Sequence, residues 1–333
     1  MRDKNSLQIR LQQLKAERKR LKSEVAMKKL ACNSAFGKLG SPYCSFYAPD
    51  LLLAVTLTGQ LNLLSLIHEL EFDPAVTIIS ANTDGIMVKY PIELRDRVLS
   101  VILGNAKRTG YDYEETPYEK VALTNVNNYF AVTSGRDAAL ISATEGISHH
   151  KGKRGKVKRK GLYAESGLMK NPTFEVCSDA VAAHLKDGTD IAAHIRACTD
   201  IRKFVSIRNI TGGGLQYDSM VEADDWYEVE PGQWSHPGRK TANVKRKSRP
   251  APYMRGVGGT KCGRVARWYM STNSPSPIFY VKSGNKVPQT EGARLCMNLP
   301  SELPEDIDYD WYINYANEIL VGIGAQNGKE VQH

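Results

Sequence analysis

Residues 51–70 carry the longest strongly apolar run in the chain, and a single element has to house it. Apolar residues fall on every side of the turn, which fits one long helix buried in a core. Asp50 stands where it can cap that helix. Thr56, Thr58, Gln60, Asn62, His68 and Glu69 interrupt the run, so it reads as too polar for a membrane span. The chain has 333 residues, 41% of them apolar, enough to enclose such a helix in one large domain or two ordinary ones. Its first thirty residues are basic rather than apolar, which does not fit a signal peptide.

Charge is the next constraint. The net charge is +9, and it is unevenly spread: residues 1–40 hold eleven basic and three acidic residues, while residues 151–160 (KGKRGKVKRK) hold seven basic and none acidic. Such clusters suit a polyanion, most simply nucleic acid, although a solvated basic face has the same composition. The six cysteines show no paired spacing and the seven histidines form no ligand pattern. Zinc or a disulfide framework is therefore not expected, and reduced cytoplasmic thiols are.

Along the chain, residues 5–37 read as helix. The charged run Arg18–Lys22, followed by Ser23 as an N-cap, suggests a helical hairpin with its tip near 19–23; one long helix is the alternative. Residues 76–80 and 86–90 read as strands joined by the turn Asn82-Thr83-Asp84-Gly85. A helix follows at 92–108, then strands near 119–124 and 127–133. The basic tract 151–160 reads as a loop or strand edge. Helices are expected near 173–187 and 189–206. Residues 232–262, rich in Pro, Gly, Lys and Arg, read as mobile, and a strand at 264–271 and a helix at 308–321 complete the chain.

Two strings carry chemistry. In Lys29-Leu-Ala-Cys-Asn33-Ser34-Ala-Phe36-Gly37, helical periodicity places Lys29, Asn33 and Phe36 at about 0°, 40° and −20°, on one stripe. An ammonium there suits a phosphate and a ring suits a sugar or base, while Gly37 allows close approach. An ordinary amphipathic helix with a glycine stop has the same spacing. In Ser80-Ala-Asn82-Thr83-Asp84-Gly85, a carboxylate at a hairpin tip suits a hard cation such as Mg²⁺. A simple Asx turn has the same residues.

The order KLACNSAFG, then ANTDG about fifty residues later, then Asn127-Asn128-Tyr129, resembles the family B DNA polymerases, most closely the phage-encoded members. The flanking strings GKLGSPY, LTGQLNLL, KRKGLY, KNPTFEV, RVARWYM and DIDYDWY extend the resemblance over essentially the whole chain. The three motifs resemble the family's Lys-x₃-Asn-Ser-x-Tyr-Gly, its Asp-Thr-Asp-Ser palm hairpin and its Lys-x-Tyr. Phe36 stands for Tyr, Asn82 for the first Asp, Gly85 for Ser, and Asn127 for Lys. The other palm motif, Asp-x-x-Ser-Leu-Tyr-Pro, does not occur, nor do the exonuclease carboxylates.

The resemblance implies an α/β or α+β fold. Residues 1–40 would be fingers helices, 41–135 palm with its metal hairpin at 76–90, and 136–333 an α-rich thumb and C-terminal region. It implies template-directed nucleotidyl transfer to a primer 3′ end. Asp84 would bind Mg²⁺ in a two-metal site of which this chain holds one carboxylate. Lys29 would meet the triphosphate and share in catalysis. Asn33 and Phe36 would line the nucleotide pocket, with Gly37 near the nascent base pair. Arg18 and Lys22 would bind phosphate, with Lys15 and Lys19 as competitors. Asn128 and Tyr129 would touch the primer–template duplex, and Lys158, Arg159 and Lys160 its backbone. The second palm carboxylate would come from a separate N-terminal polymerase chain, or the enzyme is incomplete; the alternative is a non-catalytic DNA-binding remnant. Partners would be primer–template DNA and deoxynucleoside triphosphates, with no membrane, in the cytoplasm of a bacterium carrying the phage or prophage.

Overall fold

A computed structural model of the chain describes residues 2–167, 170–236, 244–246 and 248–324. Helices are combined with strands that pair antiparallel throughout the described residues, so the fold is α+β. The chain divides into two compact units, one of residues 1–114 with 140–148 and the other of residues 115–139 with 149–333.

The first unit opens with α1 (Arg2–Leu39), one continuous helix and not the expected hairpin. The reason is local. Residues 1–36 contain neither Gly nor Pro, and a charged run in solvent is no helix breaker. Glu24 and Lys28 pair across one turn at 3.3 Å. From Leu7 to Lys38, α1 is exposed all round.

The second helix, α2 (Pro49–Leu70), starts after Ala48 with Pro49 in its first turn, so Asp50 lies inside the helix instead of capping it. The expected burial of α2 is also corrected. Only Leu66 and Leu70 are buried, and Leu51, Leu53, Val55, Leu57, Leu61 and Leu64 are exposed. Only its C-terminal turns meet the small core of this unit, which gathers Leu66, Leu70, Val76 and Val98. Thr56 and Thr58 return their hydroxyls to the carbonyls of Leu52 and Ala54, each at 2.8 Å, which hides part of their polarity. By length and composition α2 is in fact apolar enough to cross a membrane, contrary to the reading from its polar interruptions.

Strands β1 (Thr77–Asn82) and β2 (Gly85–Lys89) form a two-stranded hairpin, followed by α3 (Arg95–Thr109). A polar chain ties α2 to α3. Asn105, with no exposed surface, donates to Glu69 at 3.1 Å and accepts the Tyr113 hydroxyl at 2.7 Å, and Asn62 donates to that hydroxyl at 3.0 Å. Short strands β3 (Tyr113–Glu114), β6 (Ala138–Ser142) and β7 (Gly146–His150) pair in the order β3-β6-β7.

In the second unit, β4 (Tyr118–Asn125), β5 (Asn128–Ser134) and β8 (Arg154–Arg159) form a sheet in that order. The basic tract therefore supplies an edge strand, one of its two expected forms. Helix α4 (Glu175–Asp187) lies as expected, but the next is short, α5 (Ile191–Arg196), with Asp190 accepting from Ala193 N–H at 2.7 Å. Asp200 starts a separate 3-10 turn, Ile201–Lys203, and Ser206–Asn209 is already a strand. The expected α-rich thumb is corrected as well, since most of the regular structure after α5 is strand: Gly214–Gln216, Ser219–Ala223, Tyr227–Glu230, Gln233–Ser235, Tyr253–Val257, Thr260–Cys262, Val265–Met270, Ile278–Tyr280 and Ala293–Leu295. Three of these strands fall inside 232–262, read from composition as mobile; residues 237–243 and 247 of that stretch lie outside the described residues. Helix α6 (Tyr309–Gly322) closes the core. Buried Tyr312 donates to the Phe204 carbonyl at 2.6 Å and accepts from the Met270 N–H at 2.8 Å, with its ring edge-on to Phe204, Phe174 and Trp311.

Candidate functional site

Three places carry the residues singled out in the sequence. The first is the exposed length of α1. Because α1 is one continuous helix, Arg18 and Lys22 fall at about −20° and 20° relative to Lys29, on the stripe that also holds Asn33 and Phe36. Lys15 lies at about 40° and Lys19 at about 80°, so Lys15 shares the stripe and Lys19 sits at its margin. All are exposed, Phe36 by 39%. A side chain at Gly37 would meet no atom within 4 Å, so packing within this chain does not require glycine there.

The second place is the tip of the β1–β2 hairpin. Asn82 pairs with Gly85 and leaves Thr83 and Asp84 as the two-residue turn. Thr83 adopts φ 54°, a left-handed conformation that a β-branched residue enters only at a cost of about 1–3 kcal/mol. Its hydroxyl donates to Asn82 Oδ1 at 3.0 Å. Asp84 is exposed. The tip thus offers one anionic oxygen donor, while the Asn82 amide oxygen is engaged within the turn. Mg²⁺ is commonly held by one or two carboxylates completed by water and substrate phosphates, so the tip fits one share of a two-metal site and no complete cage. Among the described residues no group of three or more His, Cys, Asp or Glu gathers as a metal site. Gly85 has open space around its Cβ position, and a serine would fit there.

The third place is the β4–β5–β8 sheet, and here the structure sorts the predicted residues. Asn125 Oδ1 accepts the N–H groups of Asn127 and Asn128, both at 3.0 Å, and so builds the β4–β5 turn. Asn128 Oδ1 accepts from Leu162 N–H at 2.7 Å and is committed to holding the 160–163 segment. Gly161, at φ 61°, lies so close that a Cβ would collide with that oxygen. Lys170 secures the same segment by donating to the carbonyls of Gly161 (2.9 Å), Leu162 (3.0 Å) and Ala164. Asn128 Oδ1 is thereby spent on the scaffold, and Tyr129, in β5 beyond the turn, is half-buried with its hydroxyl against Lys158.

Strand β8 alternates exposed and half-buried positions. Lys158 is on the exposed side and donates to the Tyr118 hydroxyl at 3.2 Å, with its ammonium 5.9 Å from that ring's centre. Burial works against its charge, but the hydroxyls of Tyr118 and Tyr129 outweigh this and raise its pKa above the ordinary lysine value. Arg159 faces the other way. It bonds Asp179 of α4 at 2.5 Å and Glu165 at 2.5 Å with its side chain only 11% exposed. Asp179 also accepts Lys203 at 2.6 Å. Burial alone would raise the pKa of Asp179, yet the bonds to Lys203 and Arg159 hold it below the usual carboxylate value. Arg159 is therefore tied into the fold, whereas Lys158 and Lys160 stay exposed.

No known protein family matches this chain, and no characterised protein is similar to it by sequence.

Proposed function

We propose that the chain is the C-terminal part of a phage-type family B DNA polymerase, acting in the cytoplasm of a bacterial host and incomplete alone. The observation that carries the proposal is the hairpin tip. An exposed aspartate stands in a two-residue turn beside a strained Thr83, in the same unit as a helix whose one stripe holds Arg18, Lys22, Lys29, Asn33 and Phe36. Asp84 would hold one of two Mg²⁺ ions, which supply charge stabilisation to the attacking and leaving oxygens. Lys29, with Arg18 and Lys22, would bind the triphosphate of the incoming deoxynucleotide. Asn33 and Phe36 would orient its sugar and base, and Gly37 leaves room for the nascent pair. Tyr129 and the exposed lysines of the β4–β5–β8 sheet would hold primer–template DNA. A separate N-terminal chain would bring the second carboxylate and cover surfaces left open here, the apolar length of α2 and the outer edges of the two-stranded hairpin.

The second reading, a DNA-binding remnant without chemistry, is favoured by the single carboxylate at the tip. Steady-state kinetics of the reconstituted enzyme separate the two. Asp84→Asn keeps the turn but removes a metal ligand, and should lower kcat by roughly 10³-fold. Lys29→Ala should raise KM for nucleotide as well as lower kcat. Asn82→Ala should do far less, because an amide is a poor ligand for a hard dication. Equal damage from Asn82→Ala and Asp84→Asn would overturn the assignment of Asp84, and small effects from both would leave ANTDG a plain turn.

A further inference from the structure

Large apolar side chains recur along α1 with a period of seven. Leu7, Leu14 and Leu21 stand one heptad apart, and Leu11 and Val25 stand two heptads apart with Arg18 midway. These are the d and a positions of a coiled-coil repeat. On the scale that puts Lys29 at 0°, the five apolar residues fall between about −80° and 0°, on one face, and the seam they make is roughly 27 Å long. All five are 48–66% exposed. A shallow groove on the same face is lined by Leu14, Glu17, Arg18, Leu21, Lys22 and Val25. Ile9, Met27 and Leu30 are exposed off this face.

The flanking charges select what can cover the seam. Lys15, Lys22 and Lys29 occupy e positions, and Arg10, Glu17 and Glu24 occupy g positions. In a parallel, in-register pair each g residue faces the e residue of the partner's next heptad. Glu17 would then meet Lys22 of a second copy and Glu24 its Lys29, each twice by symmetry, with Arg10 against Lys15 as the one like-charge contact. An antiparallel pair would set e against e and g against g, lysine upon lysine and Glu17 upon itself. In the single chain Glu24 reaches Lys28 at 3.3 Å with both side chains largely in solvent, an interaction of little worth. Leucine at every d position with Val25 at an a position favours two strands, and a lone polar a residue, here Arg18, fixes register at some cost in stability.

We infer that α1 is a self-association element, which pairs with α1 of a second copy of this chain as a parallel two-stranded coiled coil. This goes beyond the polymerase assignment and does not rest on it. The two readings share residues, however. Pairing turns Arg18 into the seam and engages Lys22 and Lys29 with glutamates, so a paired α1 is unavailable to a triphosphate. Self-association and nucleotide binding along α1 are therefore alternatives.

The test is sedimentation equilibrium of the full chain over roughly a hundredfold range of concentration through the micromolar region. The wild type should move from monomer towards dimer mass. Leu14→Lys/Leu21→Lys should weaken association by about tenfold or more. Glu17→Lys/Glu24→Lys and Lys22→Glu/Lys29→Glu should each fail to self-associate, and an equimolar mixture of the two should restore dimers, because every reversed charge then meets its complement. Circular dichroism verifies that each variant keeps its helix. A short bismaleimide should cross-link wild-type dimers through exposed Cys32, which the parallel register sets opposite its own copy one heptad beyond Val25, and Cys32→Ser should abolish the product. A wild type that stays monomeric throughout overturns the inference and leaves the polymerase assignment untouched. Dimers that survive Leu14→Lys/Leu21→Lys place the contact on another surface and overturn it too. Charge variants that do not pair when mixed, or cross-linking that does not need Cys32, contradict the parallel register. If the wild type is monomeric but binds a polypeptide that supplies the Asp-x-x-Ser-Leu-Tyr-Pro segment, and Leu14→Lys/Leu21→Lys abolishes that binding, the seam takes an N-terminal chain and the inference is overturned.

Discussion

Replacing Arg159 by Met should destabilise the second unit by about 2–3 kcal/mol. The side chain is 11% exposed and bonds Asp179, itself 17% exposed, and Glu165, which is 76% exposed. A charge-assisted hydrogen bond to a largely buried partner is worth roughly 1.5–3 kcal/mol. The bond to exposed Glu165 adds less than about 1 kcal/mol. Asp179 keeps Lys203 at 2.6 Å, so its charge is not orphaned and the larger penalty of about 3–5 kcal/mol for a broken buried pair does not apply. Met fills a similar volume, which limits any cavity cost. The assay is urea unfolding followed by tryptophan fluorescence. All four tryptophans, Trp226, Trp234, Trp268 and Trp311, lie in the second unit, so the signal reports that unit alone. Lys158→Gln, on the exposed side of the same strand, should stay within about 0.5 kcal/mol of wild type. A double-mutant cycle of Arg159→Met with Asp179→Asn should show a coupling of about 1–2 kcal/mol. If Arg159→Met leaves the midpoint unchanged, Arg159 is solvated and free to meet phosphate, and the division of β8 into two sides is wrong.

Two further perturbations follow from buried polar groups. Asn105→Ala should destabilise the first unit by about 2–3 kcal/mol, since it leaves the Tyr113 hydroxyl and Glu69 each short of a partner; far-ultraviolet circular dichroism during urea unfolding checks it, and an unchanged midpoint would contradict the role given to this network. For Asp179 and for Asp306, whose tendency to rise on burial is outweighed by bonds to Ser271, Tyr269 and Arg294, the folded pKa lies below the unfolded value of about 3.9. Their stabilisation is therefore present above that pH and lost as pH falls through the folded values, so the urea midpoint of the second unit should hold at pH 5–6 and drop below about pH 4. A midpoint that stays flat to pH 3 would contradict this.

Legibility in the sequence followed how local the cause was. The β1–β2 hairpin and its Asn-Thr-Asp-Gly tip could be read directly, because turn residues and β-branched runs act over a few positions. So could α3, α4 and α6, whose apolar periodicity matches their burial. The hairpin expected in α1 came from giving a charged run the weight of a breaker that only Gly or Pro would carry. The burial expected for α2 came from apolar content, but burial needs a surrounding core, and only its last turns reach one. In the basic tract, the alternation Lys156-Val157-Lys158 was already a period-two signal, and it would have separated Lys158 from Arg159. The partners that decide their fates, Tyr118 and Asp179, lie 40 and 20 residues away and leave no local trace.

The most direct measurement of the polymerase assignment is primer extension on a labelled primer–template with Mg²⁺ and all four deoxynucleotides. The purified chain is tested alone and with a polypeptide that supplies the Asp-x-x-Ser-Leu-Tyr-Pro segment, and each mixture is repeated with Asp84→Asn. The predicted result is no extension by the chain alone, template-directed extension once the second palm carboxylate is supplied, and its loss with Asp84→Asn. Robust extension by the chain alone would show that the second metal ligand is already present and misassigned. Extension that survives Asp84→Asn would contradict the assignment of the hairpin tip as a metal site.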